Sequence, residues 1–278
     1  MGTQVLLVEC ADRRGLVHAI TGVLLRHQVN VVGNQEFVDP TMARFFMRTE
    51  FDGAVDAATL EAEVRAVLPA DARVRHSSLA PKRIVVLATK EPHCLGDILI
   101  RHEFAEMNAR VLAVVGNHDK LAPLVGKFSL PFHHVPHDGV SREAHEAQVL
   151  AATERYQPDF LVLARYMRVL SPAFVGKFPA RIVNIHHSFL PAFAGAKPYQ
   201  QAYERGVKVI GATAHFVTDQ LDQGPIIIQQ VIPVDHTHSA EDMAQAGRDV
   251  EQIVLARALK LVFEDRVFLC GNRTIIFD

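Results

Sequence analysis

The chain is poor in cysteine: among its 278 residues only Cys10, Cys94 and Cys270 occur, odd in number and far apart. That fits reduced thiols in a cytoplasmic protein rather than a disulfide framework. Long apolar runs are also missing. No uncharged stretch reaches 18 residues, so a membrane-spanning helix is not expected. Neither charge is in excess, with 29 Lys and Arg against 31 Asp and Glu and a formal net charge of -2. Binding to nucleic acid or to an anionic membrane surface relies on a dense Lys/Arg face, so no nucleic-acid partner and no membrane partner are expected. The chain opens directly into the strand-like run Val5-Leu6-Leu7-Val8, without the basic segment and small-residue cleavage site of a leader. Position 6 is Leu, where a myristoylation signal carries Ser or Thr.

Histidine, by contrast, is abundant at 15 residues. The adjacent pairs His133-His134 and His186-His187 do not suggest a metal centre, because neighbours on a strand face opposite ways. No His-x-x-x-His pair falls on an expected helix and no Cys-x-x-Cys occurs, so no metal site is expected. A hydrophobic fraction of 49% with 22% charged residues is that of a packed globular protein, and the length suggests two domains.

Residues 1–80 read as a βαββαβ, ferredoxin-like unit. Strand-like runs cover Val5 to Cys10, Val29 to Phe37, Arg44 to Phe51 and Arg73 to Ser78. Leu16, Ile20, Val23 and Leu24 recur at helical spacing, as do Leu60, Val64 and Val67 before Pro69. Asp12-x-x-Gly15-Leu16 stands at the first strand–helix junction and Asn30 opens the second strand. On these residues the region resembles an ACT domain. The resemblance implies an amino-acid effector site at Asp12, Gly15, Leu16 and Asn30, at an interface between paired domains. Gly15 would let a ligand carboxylate approach the free N–H groups of the helix N-terminus; the alternative is that Asp12 merely caps the helix. Exposed sheet edges on so small a unit favour a homo-oligomer, a dimer or tetramer.

After the linker Leu79-Ala80-Pro81-Lys82, residues 81–278 alternate apolar strands with helices, which implies an α/β unit with a Rossmann-like parallel sheet covered on both faces. Strands are expected at Arg83 to Ala88, Ala109 to Gly116, Phe132 to Val135, Asp159 to Leu163 and Ile182 to Ile185. Helices are expected at Leu95 to His102, His118 to Lys127 and Ser141 to Tyr156. Ligands of such sheets sit at the C-terminal strand ends, where Asn184 and His186 fall. Two residues apart on a strand, these share a face. An amide and an imidazole there suit an oxyanion forming from a carbonyl, although alone they read more readily as groups that satisfy the backbone. Asp222 lies in a turn closed by Gly224-Pro225, between runs at Gly211 to Val217 and Ile226 to Ile228, and could orient water or hold the imidazole protonated. His215 shares the preceding strand.

The pattern Asn-Ile-His-x-Ser-x-Leu-Pro at 184–191, followed by His-x-Val with Asp222-x-Gly-Pro-Ile, resembles the folate-dependent formyltransferase family throughout residues 83–278. The resemblance implies catalytic roles for Asn184, His186 and Asp222. It also implies a pterin held by backbone around Met167, Arg168 and Leu170, with Cys94, Leu95 and His215 as further substrate-binding candidates. Where members that formylate a phosphorylated amine carry a Gly-Ser-Asn loop, this chain has Lys90-Glu91-Pro92-His93-Cys94-Leu95. Glu91 would repel a phosphate and Pro92 lacks a backbone donor. With the ACT-like unit in front and Gly271-Asn272-Arg273-Thr274 near the end, the chain is similar to the hydrolytic branch of the family. That branch splits 10-formyltetrahydrofolate into formate and tetrahydrofolate without a cofactor, balancing one-carbon folate pools and supplying formate for purine synthesis. The alternatives are formyl transfer to an unidentified amine and a non-catalytic folate or amino-acid sensor.

Overall fold

A computed structural model describes residues 3–192 and 198–278. Two compact units divide at Ala80 and Pro81. The first contains β1 (Gln4–Ala11), α1 (Leu16–Arg26), β2 (Asn30–Asp39), β3 (Arg44–Asp52), α2 (Ala57–Ala66) and β4 (Arg73–Ser77). Its strands pair antiparallel in the order β2-β3-β1-β4. One sheet face packs Leu6, Val8, Phe45, Met47 and Phe51 against Leu16, Ile20, Val23 and Leu24 of α1 and Leu60 and Val64 of α2.

β1 and β3 are buried almost continuously rather than alternately, which requires cover on both faces. The cover comes from the end of the chain: Glu264–Phe268 and Ile275–Asp278 group with this first unit. Phe268 meets Phe46 edge to face at 5.6 Å. Buried Arg48 donates from Nε to the Asp265 carbonyl and from Nη2 to the Glu264 carbonyl, both at 3.0 Å. Ser77 and Arg75 donate to the Asp265 carboxylate at 2.6 and 2.8 Å. Strand periodicity assigned these C-terminal stretches to the second domain. They group with the first because its sheet has an apolar second face to bury.

The second unit contains β5 (Lys82–Ala88), α3 (His93–Glu103), β6 (Ala109–Gly116), a 3-10 turn at Asp119–Leu121 running into α4 (Ala122–Gly126), β7 (Phe132–His134), α5 (Arg142–Glu154), β8 (Phe160–Ala164), α6 (Pro172–Val175), β9 (Ile182–His186), α7 (Pro198–Glu204), β10 (Val209–Phe216), β11 (Ile226–Pro233) and α8 (Ala240–Phe263). A last hairpin pairs β12 (Val267–Cys270) with β13 (Arg273–Ile276). Seven strands form one sheet in the order β11-β10-β9-β8-β5-β6-β7. The pairs from β9 to β7 are parallel, as the apolar runs predict. β10 and β11 join antiparallel. The chain leaves β5 toward β6 on one side and returns to β8 on the other, so strand order switches at the C-terminal ends of β5 and β8. The expected helix at His118 to Lys127 is the 3-10 turn and the five residues of α4, as Pro123 fits only a first helical turn. The 24 residues of α8 are not among the elements expected from sequence. They bury Met243, Gly247, Val250, Glu251, Val254, Leu255 and Ala258 at helical spacing.

Candidate active site

Beside the switch point lies a cavity of about 290 Å³ walled by residues 165–170, Asn184 to His187, His215 and the loop 217–222. Asn184 and His186, on one face of β9, therefore meet Asp222, which β10 delivers from the other direction. His215 fixes the amide. Its Nδ1 donates to the Phe216 carbonyl at 2.9 Å, and burial above all pushes its pKa down, so the ring is neutral. Nε2 is then an acceptor, and Asn184 Nδ2 donates to it at 3.1 Å. That leaves the second amide N–H of Asn184 for another acceptor.

His186 Nδ1 lies 3.4 Å from Asp222 Oδ2, while its buried Nε2 has no hydrogen-bond partner among the described residues. Burial alone would raise the Asp222 pKa; the hydrogen bond and charge interaction with His186 outweigh it and hold the carboxyl below its ordinary value. The loop carrying Asp222 is set by geometry that few residues allow. Asp222 has φ +55, a left-handed conformation tolerated by Asp and Asn. A Cβ at Gly224 would lie 1.7 Å from the Phe216 carbonyl oxygen, so only glycine fits there. Phe216 N–H donates to the Pro225 carbonyl at 2.9 Å and closes the turn.

The turn after β9 is held by Thr213. Its Oγ1 donates to the Ser188 carbonyl at 2.8 Å and accepts from Leu190 N–H at 3.1 Å. Gln229 Nε2 adds bonds to that hydroxyl at 3.0 Å and to the Leu190 carbonyl at 2.9 Å. None of these carries a motif signal; only the fold shows that they fix the turn.

His187 departs from expectation. Strand alternation turns it away from the reacting face, yet it lies on the cavity wall with its ring centroid 5.0 Å from that of His186. β9 ends at His186, so period-two alternation no longer governs the next residue. Burial, then the neighbouring Arg165 and His186, push the His187 pKa down to about 3. Linkage fixes the sign: the unfolded chain takes up a proton near pH 6.5 and the native ring does not, so stability is lost as pH falls below 6.5. His187 alone is expected to cost about 1 kcal/mol between pH 7 and pH 5.5. His187→Gln should flatten the urea-midpoint profile over that range by this amount.

Among the other candidates, Met167, Arg168 and Leu170 line the cavity. The Met167 N–H is already donated to Thr89 Oγ1 at 2.9 Å, so in this state it is not a free donor for a pterin. Cys94 and Leu95 are not brought to the wall. Both face inward on α3, at 1% and 0% exposure, because the buried stripe of that helix runs through them. At the ACT-like junction, Gly15 with φ +86 is the N-cap of α1 and no side chain caps it; Asp12 is exposed and does not act as the cap. The Leu16 side chain enters the core, leaving only its backbone to a ligand. Asn30 is exposed at the start of β2.

One cluster has metal-donor atoms, contrary to the reading by sequence spacing: His93, Cys94 and Glu251 bring theirs within 4.8 Å of one another. α3 and α8 supply them, so no local spacing announces them. The carboxylate is already engaged. Glu251 accepts from His93 Nε2 and Tyr199 OH, both at 2.7 Å, and faces Arg165 Nε at 3.4 Å. Burial, with Glu251 nearby, pushes the Cys94 thiol well above its ordinary range. A thiol held protonated and a carboxylate balanced by a guanidinium are poor metal ligands. A second cleft of about 500 Å³ shares Asp222 and is lined by Gly224, Asn272, Arg273 and Thr274.

Known proteins match both units. Residues 4–68 match the ACT domain family and residues 82–259 the Formyl transferase family. Formyltetrahydrofolate deformylase of Escherichia coli is 54% identical over 273 residues, covering 98% of each chain. The crystal structure of a formyltetrahydrofolate deformylase from Pseudomonas syringae pv. tomato superposes with a TM-score of 0.95 at 39% identity, covering 99% of this chain and 94% of that one. A glycinamide ribonucleotide transformylase 1 from Symbiobacterium toebii covers 73% of this chain and 97% of its own, with a TM-score of 0.69 at 32% identity. A chain alike over nearly its whole length, in both units, belongs to the formyltetrahydrofolate deformylase family.

Proposed function

We infer that this protein hydrolyses 10-formyltetrahydrofolate to formate and tetrahydrofolate. The observation that carries the reading is the convergence of Asn184, His186 and Asp222 on one cavity, with donors and a carboxylate left for substrate and water. Asn184 and His186 donate to the formyl oxygen as it gains charge. Asp222 orients the water and takes its proton, which reaches N10 through His186 as the C–N10 bond breaks. Water is the only co-reactant, so no cofactor is required. The pterin lies against the backbone of residues 167–170, and the exposed Met167 and Leu221 flank it. The products place the protein in one-carbon and purine metabolism.

Transfer to an amine is the competing reading, because the transformylase matches most of the second unit. The loop at Glu91 and Pro92 argues against a phosphorylated acceptor, since Pro92 is the N-cap of α3 and brings no N–H. The purified protein, given 10-formyltetrahydrofolate and no amine, is expected to release one formate per tetrahydrofolate formed. Turnover that appears only when an amine is supplied would replace the hydrolase by a transferase.

The ACT unit serves as a small-molecule module, with an amino-acid carboxylate at the uncapped N-terminus of α1. Edge strand β2 exposes Val31, Val32, Phe37 and Val38, and pairing of such edges gives a homo-oligomer.

A further inference from the structure

His187 lines the cavity with the three groups named above, yet the mechanism so far gives it no task. It is 8% exposed and lies on the cavity wall beside the His186 ring. A neutral imidazole on the wall of a cavity can bond a group that the cavity receives. Its surroundings hold it neutral. Arg165 stands beside it, and that guanidinium is itself backed by Glu251. The rings of His186 and Tyr199 pack at 5.0 and 6.2 Å. A neutral ring keeps one lone pair and one N–H.

We propose that His187 is the second acceptor for the attacking water, paired with Asp222, and so selects water as the nucleophile. This rests on the hydrolase reading above. One O–H of the water points to the Asp222 carboxylate and the other to the unprotonated nitrogen of His187, which leaves an oxygen lone pair for the formyl carbon. As the O–C bond forms, the carbonyl π pair moves to the formyl oxygen, held by Asn184 and His186. The proton given to Asp222 passes through His186 to N10. When the carbonyl re-forms, the C–N10 bond breaks and N10 keeps its electron pair. The last acidic proton of formic acid goes to solvent, leaving formate. With a pKa of about 3, His187 orients the water and does not carry its proton.

The test is a partition experiment. The enzyme turns over 10-formyltetrahydrofolate with hydroxylamine present, and formate and formohydroxamate are both measured. In His187→Leu, formate release is expected to fall roughly 10²-fold, the usual loss when a reactant is mispositioned. Hydroxylamine carries its own reactive lone pair and should lose less, so the hydroxamate-to-formate ratio rises, while KM for the folate stays within a few-fold. His187→Asn, which restores a short acceptor, recovers part of the formate release. A ratio equal to wild type, with both products falling together or neither falling, overturns the proposal. If His187→Leu does not fold, His187→Asn and His187→Gln are read by the same ratio against wild type. Wild-type enzyme that forms hydroxamate but no formate instead overturns the underlying hydrolase reading, and this inference with it.

Discussion

Asp222→Asn is expected to release formate 10²–10³-fold more slowly than wild type while folding normally, a loss typical of a preorganised charged group at the reacting centre. Asparagine is the informative replacement. Asp222 sits at φ +55, a conformation Asn tolerates, whereas Ala would add about 1 kcal/mol of backbone strain and blur the comparison. The variant keeps the size and an acceptor oxygen for His186, 3.4 Å away, and removes only the charge. KM for the folate should stay within a few-fold, because the cavity wall at residues 167–170, proposed to hold the pterin, is untouched. The pH profile adds a second readout. Burial raises the Asp222 pKa, and His186 more than reverses it, so the wild-type carboxylate stays ionised below the usual Asp value of roughly 3.9. Any acid limb due to Asp222 therefore lies below that value and is absent in Asp222→Asn. Unchanged kcat in the variant would remove Asp222 from the chemistry.

The elements that carry this site were legible because each is local. Asn184 and His186 share a face through period-two spacing, and Gly224-Pro225 marks a turn that must place Asp222 near a strand end. The apolar runs gave the parallel part of the sheet, and the stripe Leu16, Ile20, Val23 and Leu24 gave α1. What escaped depends on contacts between distant segments. Arg165 and Glu251 are 86 positions apart in number, and nothing near either shows that α8 brings an acid to that guanidinium. The second apolar face of the β1/β3 pair called for a cover, but its pattern could not name residues 264–268. His187 was misplaced by one residue of strand length, since alternation holds only while the strand lasts. Cys94 and Leu95 failed for the opposite reason: motif position suggested the cavity, while helical periodicity, read strictly, turns both inward.

Glu251→Leu is expected to destabilise the second unit by about 3–5 kcal/mol, the usual result of breaking one side of a buried ion pair. Glu251 is fully buried, and its carboxylate balances Arg165 while accepting from His93 and Tyr199. Leucine fills the space but strands a buried guanidinium that already has Nε and Nη1 without hydrogen-bond partners. For a unit of this size the melting temperature should fall by roughly 10 °C. The pH dependence has a defined sign. Burial raises the Glu251 pKa, but the His93 hydrogen bond, the Arg165 charge and the Tyr199 hydrogen bond outweigh it and lower the value. A depressed carboxylate stabilises above its unfolded pKa of about 4.3 and loses that contribution as pH falls through the native value. The deficit of the variant is thus full at pH 7 and shrinks in acid. Removing the stranded charge as well, in Arg165→Met with Glu251→Leu, should recover most of the stability, because apolar residues often replace a buried pair at little cost. Its catalytic rate separates two roles for the cluster. If Arg165 and Glu251 only hold the wall, the double variant regains activity along with stability. If the cation is what keeps His187 neutral and oriented beside the water, the double variant folds, binds folate and still releases formate slowly.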